Sequence, residues 1–183
     1  MAKIPTDAKK VFTGKIFDVY QWEQKMFDGT VETFEMLKRP NTIEVIATDG
    51  DNIFLSKQSQ PNKHNYYSLF GGRAESDEDP LVTAKRELRE ESGLTSDDWE
   101  LYKVYEPVHK IEWQIYLFIA RKCKKVAEPV LDAGEKIETF SCSFSDFLKI
   151  VDSDEYWGIS FALDLLRLQQ HPEKLEAFKQ KLM

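Results

Sequence analysis

The chain has 183 residues, 42% hydrophobic and 13% aromatic, enough to bury one substantial core in a globular protein. Its formal net charge of -7 disfavours a broad grip on a nucleic-acid backbone, yet it leaves room for a small anion that arrives with a cation. No stretch reaches transmembrane length, Met1 to Lys10 has no apolar run of a signal or transit peptide, and Cys123 and Cys142 lack zinc-like or disulfide-like spacing, so no membrane association and a reducing cytoplasm are expected.

From Lys15 to Lys38, two stretches with strand-like apolar and aromatic content flank Phe27-Asp28-Gly29-Thr30. Asp-Gly is a two-residue hairpin signal, so an N-terminal β-hairpin is expected there, ended by Pro40. Thr42 to Thr48 and Asn52 to Lys57 read as a second hairpin around Asp49-Gly50-Asp51. Gln58 to Asn65 is polar and carries Pro61, which predicts a loop running into the short apolar segment Tyr66 to Phe70 and the tight pair Gly71-Gly72. Acidic Asp77, Glu78 and Asp79 precede Pro80, a residue tolerated in a first helical turn, and Gly93 suits a left-handed helix end. One helix is therefore predicted over Pro80 to Ser92. Gln114 to Ala120 and Ile137 to Phe144 read as strands able to fill a central sheet. Phe144 to Val151 and Gly158 to Gln170 show helical spacing, the latter with Phe161, Leu165 and Leu168 on one side and Pro172 closing the pattern. The order predicts an α/β (α+β) domain whose helices cover a mixed sheet.

On the predicted helix, Leu81, Ala84 and Leu88 share the arc that would pack on a sheet. Glu87 and Glu91 lie together beside it, with Glu90 on their other flank, and Lys85 and Arg89 project to the opposite side. Like charges at these spacings repel by a few tenths of a kcal/mol per pair, roughly, and a divalent cation outweighs that repulsion. Oxygen ligands alone suit Mg2+ or Mn2+. The other reading of the same pattern is a solvated acidic face, common in a chain with 32 Asp and Glu. His64, His109 and His171 share no ligand spacing, which leaves them structural or exposed.

The segment Gly72 to Leu94 resembles the motif of the Nudix hydrolases at every specified position: Gly72, Glu78, Arg86-Glu87-Leu88, Glu90-Glu91 and Gly93-Leu94 stand in its register. The resemblance implies a Nudix fold, with a mixed β-sheet core sandwiched by helices and an additional antiparallel β-hairpin at the N-terminus. It implies an extension over residues 1–40, a candidate dimerisation element, and a hydrolase domain over 41–183. It implies that Glu87, Glu90 and Glu91, with the carbonyl of Gly71, bind divalent cations, and that Arg86 pairs with Glu78 to hold the loop against the helix. Asp77 stands where many relatives have glycine, at an unspecified position. The implied reaction is hydrolysis of a phosphoanhydride. A carboxylate must take the proton of the attacking water. Relatives that split nucleoside diphosphate sugars carry a catalytic glutamate in a loop such as Leu131-Asp132-Ala133-Gly134-Glu135, which ranks Glu135 first, with Glu138 and the motif's own Glu90 as alternatives.

Beyond the motif the chain looks like the ADP-ribose and nucleoside diphosphate sugar pyrophosphatases over nearly its full length, which implies a nucleotide-sugar substrate and a homodimer. In that subfamily an aromatic from the N-terminal strands stacks on the adenine, a role for which Phe17, Tyr20 or Trp22 is a candidate, as is an ordinary sheet-face position. Two departures stand out. The chain reads Lys57-Gln58-Ser59-Gln60 where relatives have Gln-x-Arg, leaving Gln58 as the candidate contact, and Pro107 comes early. Glu112, before the strand Gln114 to Ala120, is a further candidate substrate contact or a plain exposed acid. The alternatives are a pyrophosphatase for modified nucleoside triphosphates or dinucleoside polyphosphates and a non-catalytic nucleotide-sugar sensor.

Overall fold

The computed structural model describes residues 3–75 and 78–183, and Asp77 lies outside the described residues. The first strands are β1 (Lys9–Thr13), β2 (Asp18–Lys25) and β3 (Val31–Lys38), followed by β4 (Thr42–Asp49), β5 (Asn52–Gln60) and β6 (Lys63–Ser68). After helix α1 (Pro80–Ser92) come β7 (Leu94–Thr95), β8 (Asp98–Tyr105), β9 (Ile111–Glu112), β10 (Ile115–Arg121), β11 (Lys124–Lys125) and β12 (Lys136–Cys142). Three helices close the chain: α2 (Phe144–Val151), α3 (Ile159–Gln169) and α4 (Pro172–Lys181).

The central sheet runs β12-β5-β4-β10-β8, with β6 also paired to β5. Its β4–β10 pair is parallel, whereas β8, β5, β6 and β12 join their neighbours antiparallel, so the sheet is mixed as expected. Side chains alternate across β4 and both faces are covered, which is why that strand reads as a nearly continuous apolar run. Ile43, Val45 and Ala47 pack with Ala84 and Leu88 of α1. On the other face, Ile46 packs with Phe147, Phe161 and Leu165 from α2 and α3 and with Phe178 from α4. A second sheet, β1-β2-β3-β9, carries the N-terminal strands. Among the described residues no helix is long and apolar enough to cross a membrane.

Several expectations need correction. Lys25 pairs with Val31, so the N-terminal hairpin turns over Met26 to Thr30 and not through a two-residue Asp-Gly turn. Gly29 alone there has positive φ, and the Asp28 carboxylate accepts the Thr30 N–H. The loop expected over Gln58 to Asn65 is largely strand, because Gln60 pairs with Lys63 and Pro61 needs no ladder N–H at the turn. Pro172 stands just past the end of α3, as expected, but the helix that follows was not foreseen. The proline opens α4 at its first turn, where a missing N–H costs nothing, and the helix buries Phe178. The strand β8 was not read from the sequence because it is a sheet edge with mostly half-exposed side chains. The helix α1 has its expected bounds, with Asp79 accepting from Leu81 N and Val82 N at one end and Gly93 left-handed at φ 72° at the other.

Glu44 is the anomaly of the central strand. It shares a face of β4 with Ile46, and its Oε2 is buried without a hydrogen-bond partner among the described residues, as is the OH of Tyr156. Burial raises its pKa from the ordinary 4.5 to about 7. Below 4.5 the carboxyl is neutral in folded and unfolded chains alike; between 4.5 and about 7 only the unfolded chain ionises freely, so stability falls with rising pH and the loss is complete above about 7. Replacing Glu44→Gln should therefore stabilise the protein by about 3 kcal/mol at pH 8 and by little at pH 4.5. Thermal unfolding of both proteins across this window checks it, and parallel Tm–pH curves would remove the assignment.

Candidate active site

The site begins with a close approach of backbone to backbone. Ile43 N donates to Gly72 O at 2.9 Å and Val45 N to Phe70 O at 2.8 Å, which lays residues 70–72 along β4. Gly71 has φ 146°, and a Cβ there would lie 2.0 Å from the Ile43 carbonyl oxygen, so only glycine fits. Its N–H donates to Glu91 Oε2 at 2.8 Å. A Cβ at Gly72 would stand 2.6 Å from the carboxylate atoms of Glu87. The double glycine thus makes room for the acidic helix to approach the strand end.

The residues Gly71, Gly72, Glu87, Glu90, Glu91 and Glu135 line one cavity of about 550 Å³. Glu91 is 5% exposed, and burial, followed by the charges of Glu87, Glu135 and Glu90, holds its pKa well above the ordinary range against the opposing Gly71 N–H. Burial likewise raises Glu87, with further pressure from Glu90 and Glu135 that Arg86 opposes. Glu135 is raised by burial and by the charges of Asp132 and Glu90. Carboxylates that raise one another through shared space form a coupled acidic centre.

Arg86 changes the expected picture of carboxylates without a cation among them. Its Nη1 lies 2.9 Å from Glu87 Oε1 and 3.0 Å from Glu90 Oε2. Its Nη2 and Nε reach Glu78 Oε2 and Oε1 at 3.2 and 3.4 Å. That pairing, helped by the Thr83 hydroxyl at 2.8 Å, draws the Glu78 pKa down to about 2. The guanidinium therefore ties the loop before α1 to the acidic face of α1. Helical spacing puts Arg86 one turn before Glu90, at the edge of that face, and its side chain reaches along it to both acids.

Among the described residues no group of three or more His, Cys, Asp or Glu side chains is arranged to hold a metal ion. Arg86 occupies the space between Glu87 and Glu90 for which such an ion would compete. The donor chemistry nevertheless fits a hard divalent cation. It consists of carboxylates and a backbone carbonyl, and among the described residues the buried Glu91 carboxylate accepts a single hydrogen bond, which leaves lone pairs for a cation.

The remaining candidates fall elsewhere. Glu138, the alternative base, sits exposed on β12 opposite Lys57, outside the cavity lining. Gln58 is buried, donating to Ser56 Oγ at 2.9 Å and accepting from Tyr66 OH at 3.0 Å, so it braces β5 against β6 and is not brought to the cavity. Tyr20 lies on β2 opposite Met36, with the Lys10 ammonium 5.6 Å from its ring, and does not line the cavity either. Glu112 accepts the N–H groups of Lys3 and Ile4 at 2.9 and 3.0 Å and pairs with Lys38 at 2.7 Å. It anchors the N-terminal segment and lines a neighbouring cavity of about 690 Å³.

The two cavities share Ile16, Arg39 and Glu75 as lining residues. Arg39 lies between the rings of Trp113, 4.5 Å away, and Phe17, 5.7 Å away, and Trp113 is fixed by its Nε1–H donating to Thr42 Oγ1 at 3.0 Å. Sequence reasoning missed Trp113, Arg73 and Asp132 as site residues. Arg73 directly follows the double glycine, a position that could have been weighed, whereas Trp113 carries no local signal.

A chain with this mixed sheet, a glycine-cradled acidic helix and a glutamate loop over the same cavity has the architecture of a Nudix protein. Residues 38–160 match the NUDIX domain, and the chain belongs to that family as a Nudix hydrolase. Among similar proteins, the ADP-ribose pyrophosphatase of Bacillus subtilis (strain 168) is 29% identical over 170 residues, covering 88% of this chain and 91% of that protein. The methanol dehydrogenase activator of Bacillus methanolicus is 23% identical over 169 residues, with coverages of 88% and 91%. A solved structure described as "Crystal structure of ADP compounds hydrolase" superposes with a TM-score of 0.71 at 16% identity, covering 93% of this chain and 95% of that one, a likeness of fold.

The contact at Gly72 gives a direct test. Gly72→Ala forces the Glu87 carboxylate to swing away without disturbing backbone packing, so the variant should fold with little change in Tm while its apparent affinity for divalent cation falls roughly 10–100-fold. Titration of activity against Mg2+ measures this, and an unchanged half-saturation point would refute the cradle.

Proposed function

We propose that the protein hydrolyses the diphosphate bond of ADP-ribose or a related nucleoside diphosphate sugar, giving a nucleoside monophosphate and a sugar phosphate. The observation that carries this reading is the convergence of Glu135 with Glu87, Glu90 and Glu91 on one cavity. Similarity to an ADP-ribose pyrophosphatase along 88% of the chain supports the substrate class.

Glu87, Glu90 and Glu91, with the carbonyl of Gly71, would hold Mg2+ or Mn2+. Such a cation neutralises phosphate oxygens and acidifies a bound water. Glu135 takes the proton of the attacking water, and its raised pKa makes it a stronger base than an exposed carboxylate. Arg86 and Glu78 are positioning residues: their ion pair holds the loop and the helix in register so that Glu87 and Glu90 face the cavity. Arg86 would yield its hydrogen bonds to Glu87 and Glu90 for these to hold a cation, and would keep those to Glu78. The protein acts in the cytoplasm as a homodimer, with residues 1–40 as the dimerising extension and 41–183 as the hydrolytic domain.

A panel of ADP-ribose, other nucleoside diphosphate sugars, modified nucleoside triphosphates and dinucleoside polyphosphates, each with Mg2+ and Mn2+, tests the proposal. Fastest release of monophosphate from the sugars is expected; faster cleavage of another class would overturn the substrate. Glu91→Gln and Glu135→Gln should each lower kcat by roughly 10²–10⁴-fold with the fold intact, since one loses a ligand and the other the base. Only the first should also weaken the response to cation. Wild-type rates in Glu135→Gln would transfer the base role to another carboxylate.

A further inference from the structure

The cavity of about 690 Å³ beside the diphosphate site has an unusual charge pattern. Most of its carboxylates are already engaged. Asp18 pairs with Lys10, Glu78 with Arg86, Glu106 with Lys3, and Glu112 with Lys38. Glu75 is the carboxylate of the lining without a basic partner among the described residues. Against it stand two lining cations that pair with no carboxylate among the described residues, Lys15 and Arg39. Arg73, at the diphosphate cavity, is likewise without a carboxylate partner among the described residues.

These cations stay unpaired in a chain of net charge -7, beside a cavity lined with acids. Arg39 is fixed by its stacking on Trp113 and Phe17 and by a 3.4 Å hydrogen bond to Thr42 Oγ1, contacts that orient a guanidinium without neutralising it. Burial and the charge of Arg73 both press its pKa down, the signature of a cation held where no anion compensates it. A guanidinium so placed is preorganised for a phosphate, and Lys15, exposed on the loop between β1 and β2, supplies a mobile ammonium on the same cavity.

Arg39 lines the diphosphate cavity as well as the larger one, whereas Lys15 lines the larger one alone, so the Lys15 charge stands apart from the hydrolytic centre. Two positive charges match the charge of -1.5 to -2 that a phosphomonoester carries near pH 7, roughly. The same cavity presents the Trp113 and Tyr116 rings and the Asn41 and Gln114 amides, chemistry suited to a nucleoside. We propose that the larger cavity receives a nucleoside arm bearing an additional phosphomonoester, seated between Lys15 and Arg39, and that the preferred substrates are nucleoside diphosphate derivatives with such a third phosphate. The proposal rests on the diphosphate-hydrolase reading for the arm's direction, though its seat can be tested without turnover.

Calorimetric titration of the full-length protein with AMP, adenosine 2′,5′-bisphosphate and adenosine 3′,5′-bisphosphate, without divalent cation, measures the seat itself. At least one bisphosphate should bind tenfold or more tightly than AMP. Lys15→Ala, an exposed loop position, should erase most of that difference, and Lys15→Arg should keep it. Equal affinities for the three ligands, no measurable binding of either bisphosphate, or a preference untouched by Lys15→Ala overturns the proposal. In turnover with cation, ADP-ribose 2′-phosphate or its 3′ counterpart should show a tenfold higher kcat/KM than ADP-ribose, gained through KM. Failure to cleave any diphosphate would sink the hydrolytic reading alone, because a Lys15-dependent bisphosphate preference would still support the phosphate seat.

Discussion

The Gly71 N–H donating to the buried Glu91 carboxylate at 2.8 Å is the contact around which the site is assembled. It joins the end of the strand region to the acidic helix, and both partners depend on the core behind them. Ala84 and Leu88 set the depth of α1 against Ile43 and Val45, and the hydrogen bonds from Ile43 and Val45 fix residues 70–72 beside the strand. A side chain at Gly71 would collide with the Ile43 carbonyl, which would push the whole segment off β4. The carboxylate is buried because the packing that seats the helix also seats the acid, and an acid so buried needs a partner.

Charge is distributed in two contrasting ways around this centre. Arg86 satisfies three carboxylates on the loop and the helix, turning a repulsive cluster into a braced one. Arg39 and Arg73 lie close enough to repel and take no carboxylate among the described residues, although Glu75 and the acids of α1 line the same cavity. Geometry accounts for the difference. Arg86 projects from the helix that bears the acids, whereas Arg39 is clamped between Phe17 and Trp113 and cannot turn to them. Aromatic stacking thus holds the Arg39 guanidinium apart from those acids.

Elements whose signal is local were legible. The bounds of α1 follow from Asp79, Pro80 and Gly93, and β4 and β10 follow from largely apolar runs, broken in β4 by Glu44, that are buried on both faces. Elements that depend on a partner were not. The edge strand β8 has a burial pattern too mixed to announce itself, and the extension of β5 through Gln60 exists because β6 and β12 pair with it. Pro172 signalled the end of α3, but the start of α4 at the same residue depends on the buried place that Phe178 fills. The Asp28-Gly29 turn shows the same limit, since the strand register left a longer connection than the dipeptide alone suggests.

The amino-acid sequence by itself determined the acidic helix: the spacing from Gly72 to Leu94 places Glu87, Glu90 and Glu91 along one helix with glycines before and after it, and helical periodicity does the rest. Tertiary structure alone decided which distant residues join them. Glu135 reaches the cavity from the loop before β12, Trp113 fixes Arg39 from the far side of the chain, and Glu112, Gln58 and Tyr20 are engaged elsewhere. Helix spacing is a property of a few consecutive residues, whereas convergence depends on sheet register and packing summed over the whole fold, and no short stretch of sequence encodes it.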